Sequence, residues 1–579
     1  MIPTMLPRKR PKREKIFAHA DFNLEALLSL ATKLRGLPCS CTADVSRRPK
    51  MGSQNWVVFL QFDDGAEWVF RSPRAGADTI YSAESASKIL LSEAATLRYI
   101  RTHSSIPVPD VYSFRFVMKS SPAGHVSWVL TKRFSGSSDN DIGVPYILMS
   151  KASGRSLSEY DWTEDALHLP GYPQIVKLLP LTDENREKIM SQLGSIMCRL
   201  SELRFNKIGS LFKDSDGNYF VGECLSPTLL WQWRDQLEDM ERGPFDDESQ
   251  YFGSQISAMV EHAKQLRMSP HSFFAPIPDP LEYRNWSDYR AATDLWNDFC
   301  ALGDKIESSE NRLSFCIAGQ LLRDMIPSLA STGIHFALSH PDLHIGNLFV
   351  DDEFNITSVI DWGSASVGPV TELLITPGFN GSFTPPLDSL IAAFKTGFQE
   401  TARGRSVEPE QWERAERIRH FTPLVRTLST QDLTLFQSLY KLVYGKDLDD
   451  IRRDIPQLFC QHREEEYAKH LMAELREDEE EDNEEEQEEM AGQETMAGRG
   501  TEGKRIKEGE KIVRKREEGK ADNGDMQQML TAVRKREERV TVRYAVARKL
   551  TLMSEKNSQF VADRRLWQWI GDALETVDV

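Results

Sequence analysis

The sequence of 579 residues has no apolar run of 18 or more residues, the length that a membrane-spanning helix needs. It also has no charged-then-apolar leader of the secretory type at its start. We therefore expect no membrane partner and a cytoplasmic location. A basic cluster, "PRKRPKREK", is of the nuclear-localisation type, so a nuclear location is the alternative, although such clusters are commonly solvated tails.

Cysteine is scarce, and the spacing of the cysteines matches no metal-binding motif. The chain has 7 Cys, of which only Cys39 and Cys41 lie close together, and no CxxC pair follows to complete a zinc site. The pattern predicts reduced thiols in an intracellular protein and no structural zinc.

Acidic residues outnumber basic residues, so the formal net charge is −17. This balance argues against a nucleic-acid partner. Much of the negative charge lies in the run "EDEEEDNEEEQEE", which begins a charged, largely disordered linker that we predict at 475–540. The last segment, 541–579, regains apolar periodicity and predicts a helix that docks on the main body or binds a protein partner.

The first 150 residues read as a tail and helix followed by a small sheet domain. Residues 1–49 form a basic tail and a helix, with Asp21 or Asn23 as N-cap and Gly36 as stop. In residues 50–150, two β-rich runs flank "DDG", a helical stretch follows, and "SWVLTKRF" and "VPYILMS" read as further strands. This order predicts an antiparallel sheet that carries one helix. Residues 151–474 are mainly amphipathic helix.

One stretch, "LSHPDLHIGNLFVDDEFNITSVIDWG", interrupts that helical region at residues 338–363. Phosphoryl transfer needs a carboxylate near the accepting hydroxyl and oxygen ligands for Mg²⁺. Asp342 is the candidate base, and Asn347 lies five residues further on. The runs "LFV" and "ITSVI" predict a β-hairpin that brings Asp361 next to Asn347, which places two Mg²⁺ ligands together. His340 is expected to brace the loop rather than to do chemistry.

The segments "HPDLHIGNLFV" and "VIDWG" resemble the aminoglycoside phosphotransferase family, a branch of the protein-kinase-like fold. Further stretches between about 50 and 470, such as "LSEAATLRYIRTHSSIPVPDVYSF" and "LGSIMCRLSELRFNKIGSL", are similar to the phosphotransferase-domain proteins abundant in fungi. The resemblance implies an α+β bilobal fold, with a small antiparallel-sheet lobe, a larger helical lobe and here a charged C-terminal extension. It implies ATP and Mg²⁺ as cofactors, Asp342 as catalytic base, and Asn347 and Asp361 as metal ligands.

The small lobe should supply the ATP clamp. In the family pattern a basic strand residue pairs with a helix Glu, and here Arg71 and Glu93 take those places, with Glu84 as a weaker choice. An Arg fork grips phosphate and carboxylate together. The alternative is that Arg71 is an ordinary edge-strand residue.

Other nucleotide contacts are less well marked in the sequence. Gly52 and Ser53 stand where a glycine-rich loop is expected, and backbone groups from Leu148 to Ser150 would meet the adenine. Pro341 replaces the usual Gly before Asp342, which fixes φ at that point.

The pattern therefore predicts an ATP- and Mg²⁺-dependent kinase that acts on a hydroxyl of a small molecule. Acidic residues in "PFDDESQY" and Asp304 are candidates for binding a cationic acceptor. The alternative is a catalytically degenerate kinase fold that acts as a binding or scaffold protein. Protein kinase activity is a weaker idea, because no A-P-E-like anchor follows "DWG".

Overall fold

The structure, a computed structural model, describes eleven parts of the chain: residues 22–41, 50–51, 55–74, 80–115, 141–162, 178–268, 273, 308–379, 386–403, 407–426 and 432–477. Gly52, Ser53, Asp304, the strand predicted from "SWVLTKRF", the linker beyond 477 and the final segment lie outside these residues. Among the helices that are described, none combines the length and the apolar composition that a bilayer crossing requires.

The first helix, α1 (Leu24–Arg35), begins and ends where the sequence predicts. The Asn23 side chain accepts a hydrogen bond from the Ala26 amide, and Gly36 takes the left-handed conformation at φ 78°. Both caps satisfy backbone groups that the helix ends leave unpaired. Its Leu27 and Ala31 are fully buried against the sheet that follows. The predicted boundary at residue 49 stays a prediction, although this helix shares the core of the small lobe.

The small lobe is built on an antiparallel sheet of six strands: β1 (Cys39–Cys41), β2 (Lys50–Met51), β3 (Asn55–Phe62), β4 (Glu67–Pro73), β5 (Val111–Arg115) and β6 (Tyr146–Ser150). The strand order is β1-β3-β4-β6-β5, and β2 also pairs with β3. The "DDG" turn joins β3 and β4 as predicted. The helix α2 (Ala83–His103) connects β4 to β5. The predicted strand "VPYILMS" is present as β6, whereas β5, from "VYSFR", is a strand that the sequence analysis did not predict.

Alternation of side chains gives the sheet two different apolar faces. One face, which includes Phe70 and Leu148, packs against α1. Ile147 and Met149 point the other way and pack with α2 residues and the core of the large lobe. One face is covered by α1, and the other is covered by α2 and the large lobe. Because both faces are buried, "YILMS" is apolar almost throughout.

The large lobe is mainly helical, as predicted. Its described helices are α3 (Asp183–Glu202), the short α4 (Pro227–Leu230), α5 (Glu248–Gln265), α6 (Ser309–Leu329), α7 (Asp388–Thr401), α8 (Pro409–Arg426), α9 (Asp432–Tyr444) and α10 (Leu448–Arg463), and residues 466–477 are also helical. A single apolar cluster joins these helices to α2 and β6, which ties the two lobes together.

Short strands in the large lobe position the site. They are β7 (Arg155–Ser156), β8 (Arg204–Phe205), β9 (Leu211–Lys213), β10 (Tyr219–Val221), β11 (Phe336–Ser339), β12 (Leu348–Val350), β13 (Ile356–Val359) and β14 (Ser366–Gly368). β12 and β13 form the predicted hairpin, with Leu348 opposite Val359. β11 lies between β8 and β14, so the loop from residue 340 to residue 347 starts from a paired strand and ends in another.

Candidate active site

His340 anchors the start of the loop that follows β11. The His340 Nε2 donates to the Ile360 carbonyl at 2.9 Å, and its ring packs edge-on against Trp362 with 4.8 Å between centroids. Burial lowers the pKa of His340, so the imidazole is neutral at neutral pH. These contacts agree with the predicted bracing role.

Asn347 lies at the end of this loop and is buried. Its side-chain amide donates to the Asp342 carbonyl at 2.9 Å, and its own carbonyl accepts from the Ile360 amide at 3.0 Å. The amide oxygen of the side chain is therefore the atom that remains for a metal ligand. The neighbouring His344 is exposed and caps the turn through the Gly346 amide, so it is a local structural residue here.

Asp361 lies two residues after the end of β13 and takes a left-handed conformation, with φ 66°. This conformation is uncommon for a residue other than glycine, and Asp tolerates it better than most. Residues held in such conformations cluster at functional sites. The Asp361 carboxylate is 39% exposed and points into the cleft between the lobes.

Arg71 joins the lobes at this cleft. Its Nη2 forms an ion pair with the Glu93 carboxylate from α2, and its Nη1 donates to Asp361 Oδ1 at 2.9 Å. β4 lies between β3 and β6, so Arg71 is not an edge-strand residue, and the predicted pairing with Glu93 is confirmed. The weaker candidate, Glu84, is exposed and pairs with Lys88 instead.

The charges of Arg71, Glu93 and Asp361 do not balance. Glu93 is almost fully buried, and this burial raises the pKa of its carboxyl, an effect that Arg71 opposes. Burial alone would lower the pKa of Arg71, but the carboxylates of Glu93 and Asp361 raise it overall. With both carboxylates ionised, two negative charges face one guanidinium, which leaves the site net negative and open to a cation.

Asp342 has a partner that the sequence did not predict. Arg426, the last residue of α8, donates from Nη2 to Asp342 Oδ1 and from Nη1 to the Pro341 carbonyl, both at 2.9 Å. The Arg426 guanidinium also lies over the Trp231 ring, 4.5 Å from its centroid. The two residues of the ion pair are 84 positions apart in the chain, and no local pattern marks Arg426.

The cleft itself is lined by residues of both lobes: Asn55, Arg71, Pro73, Tyr81, Ala86, Ile89, Leu90, Glu93, Ile147, Trp231, Asp342, Asp361, Gly363 and Ser364. The structure thus brings together four of the predicted site residues, Arg71, Glu93, Asp342 and Asp361, with Asn347 bonded to one of them. Tyr81, Ile147 and Trp231 were not predicted.

Two predicted nucleotide contacts do not reach this cleft. Leu148 is fully buried against α1, and its backbone lies in β6, which is paired on both sides. The Ser150 amide donates to the Asp110 carbonyl, and its hydroxyl accepts from the Asp110 amide, both at 2.9 Å. The Ser150 amide and hydroxyl are thus already used, and neither Leu148 nor Ser150 lines the cleft. Contact of their backbone groups with a nucleotide stays a prediction. Ile147 is the β6 residue that faces the cleft.

The acidic run "PFDDESQY" also serves structure in the large lobe. Asp246 pairs with Lys207 at 2.8 Å, and Asp247 caps the start of α5. Glu248 is buried and accepts from the amide and hydroxyl of Ser331. Helix capping, an ion pair and internal hydrogen bonds thus account for these three carboxylates, and none of them lines the cleft that contains Asp342. Binding of a cationic acceptor by this run stays a prediction.

A buried carboxyl supports the strand beneath the loop. Glu372 accepts from the Ser339 hydroxyl at 3.0 Å and from the Tyr251 hydroxyl at 3.1 Å. Burial raises the pKa of Glu372 to about 7. Ser339 directly precedes His340, so this carboxyl anchors the end of β11 from which the loop begins.

Comparison with known proteins shows what the whole chain is similar to. A family model described as "Phosphotransferase enzyme family" (APH) matches residues 46–409. A subtelomeric hrmA-associated cluster protein of Aspergillus fumigatus is 24% identical over 348 residues, in each of two strains, and the match covers 55% of this chain. It spans 57% of the length of those curated relatives.

Solved structures with a similar chain path include the macrolide 2'-phosphotransferase MphH from Brachybacterium faecium. It is 16% identical with a TM-score of 0.33, and the match covers 75% of this chain and 98% of that one. A putative fructosamine-3-kinase from Thermobifida fusca is 13% identical with a TM-score of 0.36, over 73% of this chain and 99% of that one. These TM-scores and identities are too low to transfer a residue's role. The family of the chain therefore rests on the match to the family model.

Proposed function

Because the chain belongs to the phosphotransferase enzyme family, we propose that it transfers the γ-phosphoryl group of ATP to a hydroxyl of a small molecule, with Mg²⁺ as cofactor. One observation carries the proposal. Asp342, Asp361, Arg71 and Glu93 line a single cleft between the lobes, although the chain segments that supply them lie far apart in sequence.

The residues present fit a magnesium ion. Asn347 and Asp361 would hold it, since Mg²⁺ prefers oxygen ligands and usually takes one or two carboxylates plus phosphate oxygens. The unbalanced negative charge of Glu93 and Asp361 against Arg71 favours a divalent cation at this point. When bound, Mg²⁺ supplies charge neutralisation for the phosphates.

The chain's own residues then have separate tasks. Arg71 binds the phosphates, and Glu93 holds the guanidinium in place. Asp342 accepts the proton of the acceptor hydroxyl as the O–H bond breaks and the new O–P bond forms, and ADP leaves. Trp231 and Tyr81 line the cleft beside these groups.

A degenerate, purely binding role is the less favoured reading. The polar groups that a phosphoryl transfer needs are present, and those of Arg71, Glu93 and Asp361 already contact one another. A protein partner for the final segment stays a prediction, as does the cytoplasmic location.

ATP hydrolysis tests the proposal without knowledge of the acceptor, because water can take the place of the hydroxyl. We expect slow, Mg²⁺-dependent release of ADP by the full-length protein. Asp342→Asn should lower that rate about 100-fold or more, the usual contribution of a positioned base, while Mg²⁺–ATP still raises the melting temperature. Asp352→Asn, at an exposed carboxylate of the adjacent hairpin, is the matched control and should hydrolyse ATP normally. Equal rates for Asp342→Asn and wild type would contradict the proposed base.

A further inference from the structure

Arg426 reaches the candidate base from the end of α8. One guanidinium nitrogen bonds the Asp342 carboxylate and the other bonds the Pro341 carbonyl, each at 2.9 Å. An Arg fork that spans a side chain and the preceding backbone fixes both the position and the direction of that side chain. Pro341 has no amide hydrogen to give the loop a bond of its own, so its carbonyl is the backbone group available at this point.

Trp231 supports the guanidinium from one side. The stacking distance of 4.5 Å is within the range of a favourable cation–π contact. Trp231 also lines the cleft, next to Asp342. The indole therefore restricts the movement of the guanidinium and keeps it beside Asp342.

A second, deeper arginine secures the helix end that carries Arg426. Arg234 is fully buried and donates from Nη1 to the Val425 carbonyl at 2.6 Å and to the Thr228 carbonyl at 2.8 Å. Val425 directly precedes Arg426. The end of α8 is thus attached to the same short segment that supplies Trp231.

That segment is strained. Gln232 and Trp233 both have positive φ, 56° and 68°, although neither is glycine. Two consecutive residues of this kind persist only where the surrounding structure holds them, and such strain concentrates at functional sites. Here the turn places Trp231 under the guanidinium of Arg426 and Arg234 at the end of α8.

We propose that Arg426 is a positioning residue for phosphoryl transfer, which holds one carboxylate oxygen of Asp342 so that the other accepts the proton of the acceptor hydroxyl. The proposal rests on the proposed function. Oδ1 accepts from Arg426, and no described residue donates to Oδ2. The guanidinium exchanges no proton during the reaction, and its task is to keep Oδ2 directed at the acceptor.

The test compares Arg426→Gln and Arg426→Lys with Arg417→Gln in the full-length protein. Arg417 is a matched control because it lies on the same helix, is 21% exposed like Arg426, donates to the Ser328 carbonyl and forms an ion pair with Glu413. We expect Arg426→Gln to lower kcat for Mg²⁺-dependent ATP hydrolysis about 10- to 100-fold with little change in KM for ATP. Arg426→Lys should recover part of the loss, and Arg417→Gln should match wild type.

Hydrogen exchange gives a readout that does not depend on activity. Arg426→Gln should speed exchange of backbone amides in residues 340–348, whereas Arg417→Gln should leave them unchanged. Wild-type kcat together with unchanged exchange in Arg426→Gln would overturn the proposal, as would a loss confined to KM for ATP. If wild type neither binds nor hydrolyses Mg²⁺–ATP, the proposed function fails, and the exchange comparison alone then decides whether Arg426 holds the loop.

Discussion

Replacement of Arg71 tests the charged group at the centre of the cleft. The side chains of Arg71 and Glu93 are 11% and 4% exposed, so this ion pair is close to fully desolvated. Removal of one partner from a buried pair leaves an uncompensated charge and costs about 3–5 kcal/mol. We therefore expect Arg71→Met, which keeps much of the apolar stem and removes the charge, to lower the free energy of unfolding by about that amount at pH 8.

The cost should depend on pH in a defined direction. Burial already raises the pKa of Glu93 above its ordinary value, and loss of the guanidinium raises it further. A carboxyl with a raised pKa in the folded state contributes stability below its unfolded pKa and loses it as pH rises through the folded pKa. The penalty of Arg71→Met should consequently be smaller at pH 5 than at pH 8.

Urea unfolding followed by tryptophan fluorescence measures this cost at both pH values. In the double variant Arg71→Met/Glu93→Gln no buried carboxylate is left unpaired, so the double variant should lose about 2 kcal/mol less than the sum of the single variants. Arg101→Met, which breaks an exposed pair with Asp110, is the control and should cost at most about 1 kcal/mol. A penalty that is equal at pH 5 and pH 8, or additive single variants, would refute the description of Glu93 as a buried carboxylate neutralised by Arg71.

Two further predictions concern the support of the site. Glu372→Gln removes a carboxyl whose pKa burial raises from 4.5 to about 7. Wild-type stability should fall across that window as pH rises, whereas the variant should not show this slope; linkage sets the difference at about 3 kcal/mol, and parallel urea-denaturation curves would contradict it. Gly397→Ala should destabilise the crossing of α3 and α7 by about 3 kcal/mol, because the added Cβ would lie 1.9 Å from the Ser191 carbonyl oxygen. Gly253→Ala is its control on α5, where the added methyl meets only a side-chain atom at 4.0 Å and should stabilise slightly; similar melting temperatures for the two variants would be evidence against the crossing.

Local signals in the sequence predicted much of the fold. Asn23 and Gly36 mark both ends of α1 through capping chemistry that depends on neighbouring residues only. The hairpin from Leu348 to Val359 follows from two β-rich runs around a turn. It brings Ile360, the residue before Asp361, into a hydrogen bond with the Asn347 carbonyl, and a shared metal ion at Asn347 and Asp361 stays a prediction.

The residues that the sequence did not predict depend on contacts between distant segments. All of "YILMS" is apolar or small, so its pattern does not tell that Leu148 faces α1 while Ile147 faces the cleft. Arg426 lies on a helix with many charged residues, and only the packing of α8 beside the loop distinguishes it from Arg417. The structural contacts of the carboxylates in "PFDDESQY" were not predicted, because helix capping and ligand binding use the same residue types.

Magnesium-dependent nucleotide binding tests the central claim most directly. The measurement is the shift in melting temperature of the full-length protein with ATP, with and without Mg²⁺, for wild type and Asp361→Asn, a change that keeps the left-handed backbone tolerable. A ligand at about one hundred times its Kd stabilises the folded state by about 2.7 kcal/mol. The account predicts a shift in wild type that requires Mg²⁺ and is lost in Asp361→Asn. The absence of any shift in folded wild type at millimolar Mg²⁺–ATP, or an equal shift in the variant, would contradict it.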